Sequence, residues 1–249
     1  MPRKAASRTA TEDSEVLDRT VAAPAQNQEA SKRAAGKGAA SLDDLTRTAL
    51  KAFLIARDAA FNVRDLLTNS SRMAFLAIKD CEKELDIIER YIDERLPAAI
   101  TRVNEARARQ LLTSLKCTTD LERIGDLVMS MAMRVQSRTE KIAASDVRQL
   151  VEMSSILREM LDVVYRGFVN LDLECARQVL QMDKDIDRVC HALFQKHLTA
   201  DSNPSSFDVL LMAQALERAG DHTTNLAEDL YSLIEGRSLR HAPKKRTEA

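Results

Sequence analysis

The chain has 249 residues, a formal net charge of −1 and an apolar content of 45%, so it can form one large domain or two modest ones. The near-neutral charge gives no basic bias toward nucleic acid, and no apolar stretch approaches the ~20 residues of a membrane span. The N-terminus lacks the apolar run of a secretory signal, and the four cysteines have no disulfide or zinc-ribbon spacing. We therefore expect a cytoplasmic protein with reduced thiols that binds no nucleic acid.

Helix-forming residues dominate a sequence that contains six Gly and five Pro, and no segment keeps a period of two, which favours an all-α fold. Residues 1–40 show no hydrophobic period and are expected to be a disordered tail. Breaks in the helical period predict six helices at about residues 41–67, 71–96, 98–138, 145–170, 173–198 and 205–236.

Several residues are expected to begin or end these helices. Ser71 and Ser145 are predicted to cap the second and fourth helices, and Pro97 to lie in the turn after the second. Asp208 follows Ser205 at the spacing of a capping box, which predicts the start of the sixth helix, and Gly236 is expected to end it.

A duplicated string organises the chain. LERIGD at Leu121–Asp126 recurs as LERAGD at Leu216–Asp221, 95 residues later, and Cys81–Asp86 matches Met182–Asp187 at an offset of 101 residues. Such internal similarity indicates a repeat architecture. We therefore predict two tandem three-helix bundles at residues 41–140 and 145–236, with a flexible basic tail at 237–249.

Glycines stand inside two of the predicted packing seams. Gly125 and Gly220 fall on the 3–4 spaced apolar faces of the third and sixth helices. A mid-helix glycine costs about 1 kcal/mol relative to alanine, so we expect each to permit close approach of a neighbouring helix. Gly167 lies near a predicted helix end, and substitution there is expected to be better tolerated.

Acidic residues recur in pairs spaced i, i+4, each just after a seam residue. The four pairs are Glu82/Asp86, Glu122/Asp126, Asp183/Asp187 and Glu217/Asp221. One interpretation is a solvated acidic stripe neutralised by nearby Arg and Lys. The other is a set of cation sites, because oxygen-only ligands suit hard ions such as Mg, Mn, Ca or ferric iron, whereas structural zinc prefers Cys and His. The spacing alone leaves both open.

His222 follows Asp221 but points about 100° away from it around the helix, so it is expected to be a surface or hydrogen-bonded residue rather than a ligand. Asn225 and Glu228 extend the Glu217/Asp221 stripe, which makes the second site the more polar one. No Gly-rich phosphate loop, nucleophile elbow or Glu-x-x-His pair occurs in the sequence, so no catalytic residue is expected.

The strings LERIGD, LERAGDHTTNLAEDL, EKELDIIERYIDE and DKDID resemble the PhoU family of phosphate-uptake regulators over about residues 41–236. The resemblance implies two tandem three-helix bundles that bind metal through the eight acidic residues above, with Fe, Mn, Mg and Zn all open. It also implies a non-enzymatic brake on phosphate uptake and on the phosphate-starvation regulon. The implied partners are a sensor histidine kinase and the ATPase of the phosphate ABC transporter, and the implied assembly is a homodimer that meets membrane complexes only through those partners.

Two other functions remain open from the residues. The same bundles could store or buffer metal or phosphate, or the chain could be a helical scaffold whose acids are only surface charge. Metal content separates the scaffold from the rest, and binding to a kinase or transporter ATPase separates the regulator from the store.

Overall fold

The computed structural model describes residues 42–199 and 204–237, and these ranges contain α-helices and no β-strand. The helices are α1 (Leu42–Asn69), α2 (Arg72–Ile100), α3 (Glu105–Ser137), α4 (Ala144–Asn170), α5 (Leu173–Thr199) and α6 (Pro204–Glu235). The predicted all-α class is confirmed. The expected tail at residues 1–40 and the residues from 238 onward lie outside the described part of the chain.

The break before α2 is the predicted one, whereas the break after it is not. Ser71 caps α2, and its side-chain oxygen accepts a hydrogen bond from the Ala74 amide at 3.2 Å. The turn expected at Pro97 is wrong, because α2 continues through this exposed proline to Ile100. A proline near a helix end removes one backbone hydrogen bond without ending the helix. The real break is set by Asn104, whose side chain caps α3.

The predicted cap of α4 is also wrong. Ala143 occupies the N-cap position and offers no side-chain hydrogen bond. Ser145 instead accepts a hydrogen bond from Lys196 Nζ at 2.8 Å, on the last turn of α5. The carboxylate of the neighbouring Asp146 is buried and pairs with the same Lys196 ammonium group at 2.5 Å. This tertiary contact fixes the first turn of α4.

The ends of α6 agree in part with the sequence. Gly236 follows its last residue with φ +72°, a left-handed conformation that favours glycine and ends a helix. The Ser205 side chain lies outside the described residues. Asp208 is held by tertiary ion pairs, to Arg138 at 2.7 Å and to Arg134 at 3.8 Å.

The predicted seams form the core of each bundle. Leu121, Val128 and Ala132 are fully buried on α3, and Leu216 and Ala227 are fully buried on α6. Helices α1, α2 and α3 all pack against one another, and so do α4, α5 and α6. Buried residues of both bundles join in one continuous hydrophobic cluster.

The duplication also relates α1 to α4. The buried residues Leu45, Ala49, Ala52, Ala56 and Ala60 of α1 recur, 101 positions later, as Asp146, Leu150, Met153, Leu157 and Leu161 of α4. The residues that follow these helices, Ser70 and Leu171, obey the same offset, and both adopt left-handed backbone angles of φ 49° and 53°. The two halves therefore share backbone geometry down to the turn after their first helix.

The two bundles contact each other through four of the six helices, a feature that the sequence did not predict. Helix α1 packs on α4, and α3 packs on α6, whereas α2 and α5 touch only helices of their own bundle. The Phe53 ring lies 5.2 Å from the Phe168 ring between centroids. On the other pair of helices, Lys116 Nζ lies 3.2 Å from the Asp229 carboxylate. Both pairs of helices run antiparallel.

The surroundings of Gly125 agree with the expectation, whereas those of Gly167 do not. A Cβ atom at Gly125 would lie 2.6 Å from Leu85 Cδ1, so α2 approaches α3 closely there as predicted. At Gly220 the nearest atom is Ile186 Cδ1 at 3.2 Å. Gly167 is buried, and its Cβ would collide with Leu230 and lie 2.9 Å from Cys175 Cβ, so the expected tolerance at Gly167 is wrong. Its position near a helix end does not prevent burial, because α5 and α6 cover it.

Gly167→Ala should lower the free energy of unfolding by about 1–3 kcal/mol, because its new methyl group overpacks the core. Gly220→Ala should change it by less than about 1 kcal/mol, since the movable end of Ile186 can yield and alanine gains helix propensity. Urea unfolding of both variants at one pH measures the difference. Equal losses at the two positions would contradict this packing.

Candidate metal-binding clusters

Two acidic clusters form where the duplicated strings face each other. The first acidic cluster comprises Glu82, Asp86, Glu122 and Asp126, on α2 and α3; the second acidic cluster comprises Asp183, Asp187, Glu217 and Asp221, on α5 and α6. Members of each cluster are near enough to raise one another's pKa across the helix–helix contact. The structure therefore brings two of the predicted acidic pairs together in each bundle.

Glu122 is the most perturbed member of the first acidic cluster. Its Oε2 atom is buried and accepts no hydrogen bond. Burial, followed by repulsion from Asp126, raises the pKa of Glu122 to about 7. Arg123 lies 3.5 Å from Oε2 and opposes this shift, but its side chain is 58% exposed and screened by solvent. The pKa of Glu82 is also raised, first by burial and then by Asp86.

Asp183, the counterpart of Glu82, is the most perturbed member of the second acidic cluster. Its Oδ1 atom is buried without a hydrogen-bond partner, and burial, with repulsion from Asp187, raises its pKa to about 6. Burial is also the main reason why the pKa values of Glu217 and Asp221 are raised. Each cluster thus concentrates negative charge that the protein does not neutralise fully.

The arrangement suits a hard cation. The ligand atoms on offer are carboxylate oxygens, which Mg, Mn, Ca and ferric ions prefer. The buried oxygens of Glu122 and Asp183, which lack hydrogen-bond partners, are the atoms that such an ion would satisfy. Within the described ranges, no three Asp, Glu, His or Cys side chains already stand close enough together to hold an ion. Metal binding by the eight residues therefore stays a prediction.

His222 and Asn225 share a partner, Asp120, that is not a member of the second acidic cluster. His222 Nδ1 lies 2.7 Å from Asp120 Oδ1 on α3, and Asn225 Nδ2 donates to the same oxygen at 3.3 Å. The expectation that His222 is hydrogen-bonded is confirmed, and Asn225, which continues the i, i+4 spacing of Glu217 and Asp221 on α6, has its hydrogen-bond partner on α3. Asp120 was missed because it precedes LERIGD by one residue and its counterpart before LERAGD is Ala215.

The four cysteines are free thiols, as predicted. Burial raises the pKa of Cys81 and of Cys190 to about 11, so both stay protonated at neutral pH and are poor metal ligands or nucleophiles. A membrane-spanning helix, which would need to be both long and apolar, is not found among the described helices.

Comparison with known proteins explains the repeated geometry. The model of the PhoU domain matches twice, at residues 49–135 and 150–230. The chain belongs to the PhoU family. Each PhoU domain match contains one complete acidic cluster, so the clusters are a property of the repeat itself.

Curated relatives support the assignment over most of their length. A Rhizobium meliloti protein called phosphate-specific transport system accessory protein PhoU homolog is 31% identical over 189 residues, which are 71% of this chain and 78% of the relative. The Thermotoga maritima homolog 1 is 26% identical over 76% of this chain and 84% of its own. The PhoU protein of Serratia marcescens is 24% identical over 87% of this chain and 92% of its own.

Solved PhoU structures have the same fold. The crystal structure of PhoU from Pseudomonas aeruginosa superposes with a TM-score of 0.70 at 22% identity, over 79% of this chain and 98% of that one. The phosphate transport system regulatory protein PhoU from Streptococcus pneumoniae gives 0.72 at 21% identity, over 80% and 97%. At this identity the likeness establishes the fold.

The raised pKa of Glu122 gives the PhoU fold a pH-dependent stability. The folded state binds the proton more tightly than the unfolded state, so this contribution is complete below about pH 4.5 and is lost as the pH rises to about 7. In the presence of a chelator, Glu122→Gln should therefore become increasingly stabilising, relative to the native sequence, as the pH rises through that window. Urea unfolding at several pH values measures this difference.

The control is Glu105→Gln, which alters an exposed acid on the same helix, with a side chain that is 88% accessible. The pH dependence of its effect on the free energy of unfolding is the reference for an exposed acid. A Glu122→Gln effect that is no more pH-dependent than this reference would contradict the assigned shift.

Proposed function

We propose that this PhoU-family chain is a non-enzymatic negative regulator of phosphate uptake and of the phosphate-starvation regulon. It acts as a cytoplasmic, metal-binding adaptor between a sensor histidine kinase and the ATPase of the phosphate ABC transporter, and it forms a homodimer. The observation that carries the proposal is the double PhoU domain match, each copy with a complete acidic cluster. Relatives over most of the chain are named as accessory proteins of phosphate-specific transport.

The chemistry of the side chains supports an adaptor rather than an enzyme. The sequence has no phosphate-binding Gly-rich loop and no nucleophile elbow. The thiols of Cys81 and Cys190 stay protonated at neutral pH, which removes them as nucleophiles. The most perturbed acids lie in the two acidic clusters, which are the proposed metal sites.

The acidic clusters would hold the metal through carboxylates of both helices. In the first acidic cluster these are Glu82, Asp86, Glu122 and Asp126; in the second they are Asp183, Asp187, Glu217 and Asp221. A bound cation would offset the repulsion within each cluster and tie α2 to α3 and α5 to α6. Binding would release protons from the acids with raised pKa, so affinity should rise with pH.

A storage or buffering protein for metal or phosphate is the second candidate. The presence of two separate acidic clusters in one chain favours it, since a store gains from every site it carries. An adaptor needs metal only to fix its shape. The two candidates therefore differ in one outcome, which is whether deleting the gene for this protein abolishes regulation of the phosphate-starvation genes.

Mn²⁺ should raise the melting temperature of the chelator-treated protein, because an ion that binds mainly the folded state stabilises it. Glu217→Ala combined with Asp221→Ala should remove the part of this rise that comes from the second acidic cluster, and the bound Mn measured by mass spectrometry should fall by that cluster's share. Glu174→Ala combined with Asp185→Ala, on exposed ion-paired acids of α5, is the matched control. Native Mn binding by the Glu217/Asp221 variant would overturn the ligand assignment.

Deleting the gene should switch on starvation-regulated genes even when phosphate is plentiful, because the proposed brake is lost. Phosphate uptake should rise too, and disabling the transporter should suppress that excess. Reporter expression and radiolabelled phosphate uptake in rich phosphate measure both effects, with the native gene supplied in trans as the control.

Normal repression in the deletion strain would overturn the regulatory role. A deletion strain with unchanged reporters but altered metal content would favour the storage alternative. Turnover of a phosphorylated substrate by the purified protein would overturn its assignment as a non-enzyme.

A further inference from the structure

Among the described residues, one arginine on α4 lacks the carboxylate partner that its duplicate on α1 has. Arg57 Nη1 binds Asp162 Oδ1 at 3.1 Å across the α1–α4 contact. At the offset of 101 residues that relates these helices, Arg57 corresponds to Arg158 and Asp162 corresponds to Phe61. The same contact on the other side of the α1–α4 pair therefore joins an arginine to a phenylalanine.

The Arg158 side of the contact is open. The guanidinium carbon of Arg158 lies 6.0 Å from the centroid of the Phe61 ring, at the outer limit of a cation–π contact, and Phe61 is 61% exposed. Arg64 stands where the other side has Tyr165, so this side carries a second cation. Neither Arg64 nor Arg158 forms an ion pair with a carboxylate in the described part of the chain.

A groove accompanies these side chains. Its volume is about 110 Å³, and its lining residues are Ala60, Phe61, Arg64, Ser154, Ser155 and Arg158. The volume is below the roughly 300–1,000 Å³ of sites that enclose small-molecule ligands, but it admits a single side chain. We call this feature the Phe61–Arg158 groove.

The groove offers positive charge beside an aromatic ring. The hydroxyl groups of Ser154 and Ser155 both donate to the Val151 carbonyl oxygen, at 3.0 and 2.8 Å, which leaves the two guanidinium groups as its donors. Guanidinium groups prefer carboxylates, and the intact duplicate places an aspartate on its arginine. Exposed Phe beside Arg is also a composition enriched in protein–protein contacts.

We propose that the Phe61–Arg158 groove docks an aspartate or glutamate side chain of a different partner protein, with an apolar neighbour of that acid resting on Phe61. The partner's carboxylate takes the place that Asp162 holds beside Arg57 in the duplicate. This docking contact is separate from the acidic clusters and does not require a role in phosphate transport.

The test places the photo-crosslinking residue p-benzoylphenylalanine at position 61 of the full chain in its native bacterium. Irradiation should link it to one partner protein, and mass spectrometry of the linked peptides should place an Asp or Glu within a few residues of the crosslink. The same residue at Ile87, which is 62% exposed and belongs to α2, a helix that contributes nothing to the lining of this groove, is the control.

Charge exchange then tests the carboxylate. Arg158→Glu should reduce the crosslink at least tenfold, and changing the partner's acid to Arg should restore it in the Arg158→Glu background. Arg188→Glu reverses another exposed arginine, on α5, and should leave the crosslink unchanged. Melting temperatures confirm that the variants fold.

Four crosslinking results, and one binding result, would overturn the proposal. These are a crosslink no stronger than that from position 87, one unaffected by Arg158→Glu, one that maps to a segment without acid, or one to a second copy of this chain. Inorganic phosphate that binds the purified protein by calorimetry, and is lost in Arg158→Gln, would make the groove a small-anion site and would overturn it as well. Normal starvation control in the deletion strain would sink the proposed function but would not affect these outcomes.

Discussion

In each bundle, close contact between two helices at one glycine holds the acidic cluster together against the repulsion between its carboxylates. At Gly125 a Cβ atom would lie 2.6 Å from Leu85 Cδ1 and 3.7 Å from the Glu82 Cα; at Gly220 it would lie 3.4 Å from Asp183 Oδ1. The glycine of each LER-x-GD string thus lets the neighbouring helix bring its own acidic pair alongside. Burial of Leu85, which contributes about 1.5–3 kcal/mol, offsets the cost of burying Glu122 beside like charges, which is the cost that its raised pKa reflects.

The two halves have kept this contact and have diverged elsewhere. Both acidic clusters retain four carboxylates, and both halves keep the left-handed residue after their first helix. Where one half meets the other, corresponding positions differ in chemistry. Asp120 pairs with His222 at 2.7 Å, but the related positions hold Ala215 and Leu127. The residues of the acidic clusters are therefore alike in both halves, whereas the residues at the contact between the halves differ. This pattern is expected if both clusters serve the same purpose and each half has specialised for contact with the other.

The sequence predicted whatever depends on local periodicity, such as the buried seams, the cap at Ser71 and the left-handed Gly236. It failed where tertiary contact decides. Pro97 stays helical, and Gly167 is enclosed by helices that are distant in sequence. The acidic pairs could be recognised in the sequence because two carboxylates at i, i+4 destabilise an isolated helix. Asp120 gave no such signal, because its partner His222 lies 102 residues away.

The unequal contact between halves also limits how they could pair if separated. Two copies of the first half, packed through α3, would set each Asp120 carboxylate, whose side chain is only 15% exposed here, against a Leu127. That burial would leave a charge without a partner, which a protein interior disfavours strongly. Two copies of the second half would set His222 against Ala215. Each half therefore fits the other better than it fits itself, so a separated half should not pair with a second copy of itself through the contact that joins the two halves here.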